Sequence, residues 1–233
     1  MKKILFAIAM FVTVLTVNAQ DLQSKAMSIK QKIENLPHKY TIEGTFIQYQ
    51  KVFELNKGLT KDQIYDAVKR YVIKSYGDAN SVIQVDDKVN GKIIVKGLFK
   101  RGTCGCGDIV FFGSGMEYQA THILQVDIKD DRVRVALSIT KIQQKSGGTQ
   151  YSPFKYIDFD ATDFYPFTTE CKVYSCNHMM NWYAKEGSPR QYKAEIHEGY
   201  VMYKIMLTAN GVIDSIYKEI TNPANVISVS DNW

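Results

Sequence analysis

Two neighbouring stretches of alternating apolar residues constrain the fold of this chain more than any other feature of its sequence. The first runs from Tyr118 to Ile128 and the second from Val133 to Ile139, with Asp130-Asp131 between them. Side chains alternate between the two faces of a strand, so each stretch has one apolar face and one polar face. The pattern predicts an antiparallel hairpin in a sheet that buries only one face.

The best-marked helix of the sequence precedes these strands and extends from Lys61 to Tyr76. Thr60 and Gln63 have the spacing of a capping box, which satisfies backbone N–H groups at a helix start. We expect Gly77 to end the helix in a left-handed conformation. The apolar stripe of this helix is expected to cover the apolar face of the sheet.

Further strands are predicted on both sides of that helix. One extends from Ile42 to Leu55, and two more, Ser81 to Val85 and Lys92 to Phe99, flank Asn90-Gly91. Asn-Gly reaches positive φ readily and favours a tight reversal of the chain. The predicted order is therefore a strand, a helix and four strands, which indicates an α+β fold.

The two ends of the chain are expected to add smaller elements. Asp21 to Leu36 has the periodicity of a short amphipathic helix. Near the C-terminus, Tyr200 to Thr208 and Val212 to Ile220 flank Asn210-Gly211. We predict a hairpin there, because a glycine inside a helix costs about 1 kcal/mol relative to alanine. Asn177 to Lys185 is expected to form a short helix.

The first residues have the three-part pattern of a secretory signal peptide. Lys2 and Lys3 precede an uncharged apolar run from Ile4 to Val17, and Val17-Asn18-Ala19 resembles a cleavage site. The run is short for a membrane span, so we favour cleavage over an N-terminal anchor. The sequence thus divides into a leader (1–19), an N-terminal helix (20–37), a main domain (38–148) and a β-rich extension or small second domain (149–233).

Export and charge limit the partners of the mature chain. Removing the two leader lysines reduces Lys and Arg from 29 to 27 against 24 acidic residues, so the net charge becomes about +3. This charge is too small for a strong polyanion-binding field, and nucleic acid is not expected as a partner. We expect a periplasmic or secreted protein with an unknown envelope or extracellular ligand, and no transmembrane segment in the mature chain.

The order of elements and several short motifs resemble a known family. These motifs are Gly58-Leu59-Thr60-Lys61-Asp62-Gln63-Ile64-Tyr65, Ser81-Val82-Ile83-Gln84, Asn90-Gly91-Lys92-Ile93-Ile94 and Asp163-Phe164-Tyr165-Pro166-Phe167. Between Tyr40 and about Gln144 the chain is similar to exported bacterial domains of unknown function with a TBP-like (TATA-box-binding-protein-like) fold. The resemblance implies a curved antiparallel sheet with a helix on one face. It implies no catalytic residues, and a shared fold does not by itself imply DNA binding.

The four cysteines are the main candidate site residues, because exported cysteines usually form disulfides. Cys171 with Cys176 is the favoured pair, which leaves Cys104 to pair with Cys106. Cross-pairing of the two segments stays open. A strained Cys-Gly-Cys pair would have a raised reduction potential, so a thiol-disulfide active protein using Cys104 and Cys106 is an alternative function.

Other candidate sites are weaker. Histidines His122, His178 and His197 could join the cysteines around zinc, but the spacings differ from common zinc motifs, so no metal is predicted. Asp158, Asp160 and Asp163 lack the pattern of a calcium loop and are read as a solvated turn. His122 lies on the apolar side of its strand, where we expect a partly buried side chain with a local hydrogen bond.

The sequence favours a binding function over catalysis. A glycine-rich stretch from Gly102 to Gly115 lacks the lysine of a phosphate-binding loop and reads as a long connection that could bind a ligand. Abundant tyrosines could stack on sugars, which makes a glycan-binding module another alternative. We therefore expect a non-catalytic binding or structural domain of the cell envelope that needs no cofactor.

Overall fold

Seven strands within the described part of the chain form one antiparallel sheet, and helices pack on one of its faces. The structure, a computed structural model, describes residues 20–104, 116–146, 155–164 and 187–222. The predicted leader at 1–19 and the predicted helix from Asn177 to Lys185 lie outside these residues. The sheet order is β1-β2-β6-β5-β4-β3, and β7 pairs with β6.

The helices and strands follow one another in this order: α1 (residues 20–34), β1 (Tyr40–Glu43), β2 (Phe46–Glu54), α2 (Lys61–Ser75), α3 (Ala79–Val82), β3 (Ile83–Asp87), β4 (Lys92–Cys104), β5 (Met116–Lys129), β6 (Arg132–Ser146), β7 (Lys155–Asp160), α4 (Ala161–Phe164) and α5 (Pro189–Thr221). The segment from β2 to β6 has the predicted order of a strand, a helix and four strands. The α+β prediction is therefore confirmed, and so is α1.

The alternating stretches form the centre of the sheet. β5 and β6 pair along their length, with Lys129 opposite Arg132 and Asp130-Asp131 as the two-residue turn. Asp131 has a φ of 51°, a conformation that aspartate tolerates better than most residues. The apolar residues predicted for the inner face are all buried, among them Tyr118, Leu124 and Leu137. The hairpin prediction is confirmed.

The helix α2 begins as its sequence predicts but ends differently. The Thr60 side chain accepts a hydrogen bond from the Gln63 N–H, and the Gln63 side chain accepts one from the Thr60 N–H, which completes the capping box. Gly77 is outside the left-handed region, so the predicted left-handed stop is wrong. The helix ends instead because Tyr76 adopts an extended conformation, with φ −114° and ψ 104°.

The β5–β6 turn is bonded to the loop that precedes α2. The Asp131 carboxylate accepts hydrogen bonds of 2.8–3.1 Å from three consecutive backbone N–H groups, those of Lys57, Gly58 and Leu59. These bonds lower the pKa of the Asp131 carboxyl. Asp130 accepts a further bond of 2.7 Å from the first N–H of α2, which has no partner within the helix.

Two strand predictions need correction. The single strand predicted from Ile42 to Leu55 is wrong, because Gly44 turns the chain at a φ of 61° and produces the hairpin of β1 and β2. The strand predicted from Ser81 begins later, at Ile83. Asp78 caps a short helical turn, α3, by accepting a bond from the Ser81 N–H, so residues 79–82 are helical.

A β-bulge at Thr140 lies where β6 changes its neighbour. Opposite β5, Ile139 pairs with His122 and Lys141 pairs with Thr121, so Thr140 is an extra residue in β6. Before the bulge β6 pairs with β2, and from Lys141 onwards it pairs with β7. The Thr140 hydroxyl donates a hydrogen bond of 3.2 Å to the Thr121 carbonyl, which holds the bulge in place.

The C-terminal hairpin prediction is wrong, because residues 200–220 belong to the 33-residue helix α5. Ser188 caps this helix, and Pro189 occupies its first position, where a missing N–H costs nothing. Apolar residues at helical spacing are buried along one side: Val201, Met202, Ile205, Met206, Ala209, Ile213, Ile216 and Ile220. Their burial outweighs the low helix propensity of Gly211, which is exposed.

The described residues after position 148, which are 155–164 and 187–222, pack on those before it. Strand β7 follows residues 147–148, where a domain boundary was predicted, and it joins the same sheet. Helix α5 packs on α2, and Glu219 of α5 forms an ion pair of 3.0 Å with Lys74. Among these described residues, no helix is both long and apolar enough to cross a membrane. The described part of the predicted β-rich extension is thus mainly helical.

Replacing Gly211 by alanine tests the helix that the sequence did not predict. No atom lies within 4 Å of an added Cβ, so alanine fits without a clash. We expect Gly211→Ala to raise the free energy of unfolding by about 0.5–1 kcal/mol in urea titrations, because alanine favours the helix. A loss of stability would indicate a positive φ at this residue and would contradict the helix.

Candidate functional site

The helices leave the opposite face of the sheet exposed, and this open face is the candidate functional site. We use the term for the side chains of β2, β4, β5 and β6 that point away from the helices. Two rows cross its centre: Gln50, Ala136, Gln125 and Ile94 form the first, and Gln48, Ser138, Ile123 and Lys96 form the second. Lys96 is the one charged side chain in these two rows.

The centre of the open face carries an exposed apolar pair. Leu98 and Ile123 are each 38% exposed, and both belong to the polar side of their alternating strands. Leu98 lies opposite Thr121, and Ile123 lies opposite Lys96, so the two side chains are diagonal neighbours on adjacent strands. A solvent-exposed apolar pair among amides and hydroxyls is a surface that can bind a partner.

Charged side chains around this centre are paired with one another. Arg134 forms an ion pair of 2.8 Å with Asp127, and Arg132 forms one of 2.8 Å with Glu54. Arg132 and Arg134 therefore have carboxylate partners on this face, whereas Lys96, opposite Ile123 on β4, forms no ion pair within the described residues.

A chain of hydrogen bonds crosses the open face beyond the bulge. The Gln119 Nε2 donates to the Gln143 Oε1 at 2.7 Å, and the Gln143 Nε2 donates to Asp158 at 2.7 Å. Lys141 lies 3.4 Å from the same carboxylate. The bond from Gln143 and then the ammonium group of Lys141 lower the pKa of Asp158. These side chains are therefore held in fixed orientations.

Beneath the sheet, His122 joins strand β5 to the end of α2. Its side chain is fully buried, and its Nε2 lies 2.7 Å from the Tyr76 hydroxyl in a hydrogen bond. Its ring stacks on Phe99 at a centroid distance of 3.8 Å. Its Nδ1 has no hydrogen-bond partner within the described part of the chain. The predicted hydrogen bond is present, but its partner Tyr76 lies 46 positions away in the sequence, and the burial is complete where only partial burial was predicted.

Gly97 makes room for this buried histidine. It lies opposite His122 on β4, and a Cβ at Gly97 would stand 2.6 Å from the imidazole and closer still to the Tyr76 ring. Burial lowers the pKa of His122 to about 4 from an ordinary 6.5, against a smaller opposing effect of the Ala120 backbone. His122 is therefore neutral at pH 7 and acts as a packed core residue.

The predicted cysteine site is largely outside the described residues. Cys104 is the last residue of β4 and pairs with Met116 in the backbone ladder. Cys106, Cys171 and Cys176 lie outside the described residues. The disulfide pairings and the thiol-disulfide alternative therefore stay predictions.

The remaining candidates are spread over different elements. Asp158 belongs to β7, whereas Asp163 belongs to α4 and accepts a bond of 3.1 Å from the Asp160 N–H. His197 lies in α5, His178 is outside the described residues, and the glycine-rich stretch is described only up to Cys104. Within the ranges that the structure describes, no three metal-binding side chains are grouped together.

Comparison with known proteins identifies the fold. Residues 49–143 match the model of DUF4468, described as a domain of unknown function with TBP-like fold. The resemblance to a domain family of unknown function with a TBP-like fold is confirmed over these residues. The DUF4468 region contains β3, β4 and β5, most of β2 and β6, and the helices α2 and α3, so it includes both central rows of the open face apart from Gln48.

Two solved structures of bacterial proteins are similar to this chain. A TBP-like protein from Parabacteroides distasonis ATCC 8503 has 14% identity and a TM-score of 0.50, over 78% of this chain and 97% of that one. A DUF4468 family protein from Bacteroides ovatus ATCC 8483 has 14% identity and a TM-score of 0.42, over 76% of this chain and 90% of that one. No curated protein matches the chain.

The buried histidine makes stability depend on pH. Because the folded pKa of about 4 lies below the unfolded value of about 6.5, the folded state binds the proton less readily. We expect the free energy of unfolding to fall by about 3 kcal/mol as the pH is lowered from 6.5 to 4, measured by urea titration. His122→Gln should flatten this slope, whereas Tyr76→Phe should keep it, because burial is its main cause. An unchanged slope in His122→Gln would contradict the assignment.

Filling the space above the imidazole should destabilise the fold. We expect Gly97→Ala to lower the free energy of unfolding by about 1–3 kcal/mol, because the new methyl group would displace Tyr76 and His122. Gly77→Ala is the matched control, since no atom lies within 4 Å of its Cβ position and its φ is ordinary. Equal effects of the two variants, measured by thermal and urea unfolding, would show that the close contact is absent.

Proposed function

We propose that this chain is an exported binding domain of the cell envelope, which holds a partner on the open face of its sheet without changing the partner chemically. The N-terminal pattern of Lys2, Lys3 and the apolar run up to Val17 supports export. The TBP-like fold supports no particular activity by itself, so the proposal depends on the open face.

One observation carries the proposal: Leu98 and Ile123 remain 38% exposed in the centre of an ordered sheet. On their other face the same strands bury their apolar side chains from Ile93 to Phe99 and from Tyr118 to Ile128, so among these residues the exposure is confined to one side. Four paired strands position these side chains on a rigid backbone, which limits the entropy lost when a partner binds. A rigid surface of this kind suits recognition.

The electrostatics of the open face favour a partner other than nucleic acid. Nucleic-acid binding proteins neutralise several phosphates with lysine and arginine. In the two central rows the open face offers Lys96 alone, and the neighbouring Arg132 and Arg134 are bonded to carboxylates. The net charge of about +3 that we expect for the mature chain points the same way.

Charged substitutions on the open face test the proposal. The full chain is expressed in the organism from which it comes. The fraction of the protein that sediments with the isolated envelope is then measured. We expect the double variant Leu98→Asp/Ile123→Asp to reduce retention at least tenfold, because a buried contact would then contain unpaired carboxylates. The matched control is Val89→Asp/Ile73→Asp, which adds the same charges at exposed apolar residues away from the open face.

Both variants must keep the circular dichroism spectrum of the unaltered protein. Equal retention of the open-face variant and the control would refute binding through this face. Recovery of the unaltered protein, still carrying residues 1–19, from the cytoplasm would refute export.

A further inference from the structure

The Asn90-Gly91 pair in the turn between β3 and β4 has a chemical reactivity that the proposed function does not use. We propose that Asn90 is a modification site, where the side-chain amide reacts with the backbone and becomes aspartate or isoaspartate as the protein ages. The same dipeptide occurs again at Asn210-Gly211. The structure gives the two copies opposite environments, and this contrast identifies Asn90 as the reactive asparagine.

The reaction needs only water, and no oxidant or reductant. The backbone nitrogen of Gly91 attacks the side-chain carbon Cγ of Asn90, loses its proton and closes a five-membered succinimide ring. The bond from Cγ to Nδ2 breaks, and the amide nitrogen leaves with that proton as ammonia. Water then opens the ring at one of its two carbonyls, which gives aspartate or isoaspartate. Glycine favours the attack because no Cβ hinders its nitrogen.

The turn between β3 and β4 presents Asn90 to solvent. Asn90 is exposed, and the preceding residue, Val89, is 82% exposed, so the turn projects from the fold. The Gly91 N–H donates a hydrogen bond of 3.2 Å to the Lys88 carbonyl, which is at the long end of the range for such bonds. This bond closes the turn. A local opening of the turn therefore frees the attacking nitrogen while the rest of the sheet stays paired.

The Asp87 carboxylate is bonded to the group that leaves. One carboxylate oxygen accepts a hydrogen bond of 2.9 Å from the Asn90 N–H, and the other accepts one of 2.7 Å from the Asn90 Nδ2. These bonds lower the pKa of Asp87, so the carboxyl group is ionised at neutral pH. The amide nitrogen gains positive charge when it is protonated and leaves. A carboxylate beside it stabilises that charge and favours the reaction.

Asn210 is protected by its place in α5. It is only 2% exposed, and both ends of its amide are bonded. Its Nδ2 donates to the Met206 carbonyl at 2.9 Å, and its Oδ1 accepts the His38 N–H at 2.8 Å. The helix also fixes the backbone at Gly211, whose nitrogen cannot turn towards the side chain while the helix is intact. Reaction at Asn210 therefore requires part of α5 to unfold.

Modification of Asn90 alters a turn that contacts two other elements. The Val89 carbonyl accepts a hydrogen bond of 2.8 Å from the Lys61 ammonium group of α2. The Gly91 carbonyl accepts one of 2.7 Å from the Ile128 N–H of β5. Aspartate would place a second carboxylate where a donor stood, and isoaspartate would also add a methylene group to the main chain. The aged protein is therefore more negatively charged and has a turn held less firmly on α2 and β5.

Peptide mapping of the full chain by mass spectrometry tests the proposal. Purified protein is kept in mildly alkaline buffer, and its peptides are sequenced by electron-transfer dissociation, which distinguishes isoaspartate from aspartate. We expect the Asn90 amide to be lost at least tenfold faster than the Asn210 amide, with isoaspartate among the products. In guanidinium chloride the two asparagines should react at similar rates, because the fold no longer protects Asn210.

A substitution reproduces one product of the reaction. We expect Asn90→Asp to lower the urea concentration at the midpoint of unfolding, because Asp87 loses a donor and gains a neighbouring carboxylate. The matched control is Asn80→Asp, which adds the same charge at an exposed asparagine of α3. Its midpoint should stay close to that of the unaltered protein.

Four results would contradict the proposal. Equal rates at the two asparagines of the folded protein would show that the structure does not select Asn90. An Asn90 that reacts only in the unfolded chain would show that the turn protects it. Aspartate without isoaspartate would indicate direct hydrolysis in place of a succinimide. Equal midpoints of Asn90→Asp and Asn80→Asp would refute the loosening of the turn.

Discussion

The fold depends on the burial of one face of the sheet, and the alternation of side chains makes that burial possible. Along β5 and β6 every second residue points at the helices, except at the Thr140 bulge, and these residues form one apolar core with α1, α2 and α5. A shift of the register by one residue would exchange the two faces and expose the core, so the pairing is strongly determined. The same pairing places the alternate residues of each strand on the opposite surface of the sheet. The positions of the side chains on the open face are therefore fixed by the strand register.

Short polar contacts fix how the helical layer lies on that core. Asp131 binds the loop before α2 through three backbone N–H groups, while His122 binds Tyr76 just beyond the end of α2. The helix is thus held at both ends by residues of the central hairpin. Because His122 is buried beside Gly97, this second contact leaves no room for an added methyl group, whereas the Asp131 contact lies at the surface.

The sequence predicts those elements whose signals are local. The alternation of β5 and β6 and the capping box of α2 each lie within a few residues, so both were predicted correctly. The β1–β2 turn was missed because Gly44 interrupts a continuous strand-like pattern without a common turn dipeptide. Helix α5 was missed because Asn210-Gly211 resembles a hairpin turn, and only tertiary burial decides between the two. The polar residues of the open face were visible in the alternation, but their assembly into rows needed the register of four strands.

One contact relates the two ends of the described chain. The backbone N–H of His38 donates a hydrogen bond of 2.8 Å to the Asn210 side chain, which is 172 positions away in the sequence. The Nε2 of the same histidine lies 2.8 Å from the carboxylate of Asp214, which is 176 positions away. During synthesis from the N-terminus, α1 and the DUF4468 region emerge well before α5. Until α5 packs, the side of α2 that contacts it is exposed to solvent. The chain between His38 and α5 forms a long loop, and closing such a loop is slow. The contacts that α5 makes with α2, β2 and β4 therefore form only after α5 itself has been synthesised.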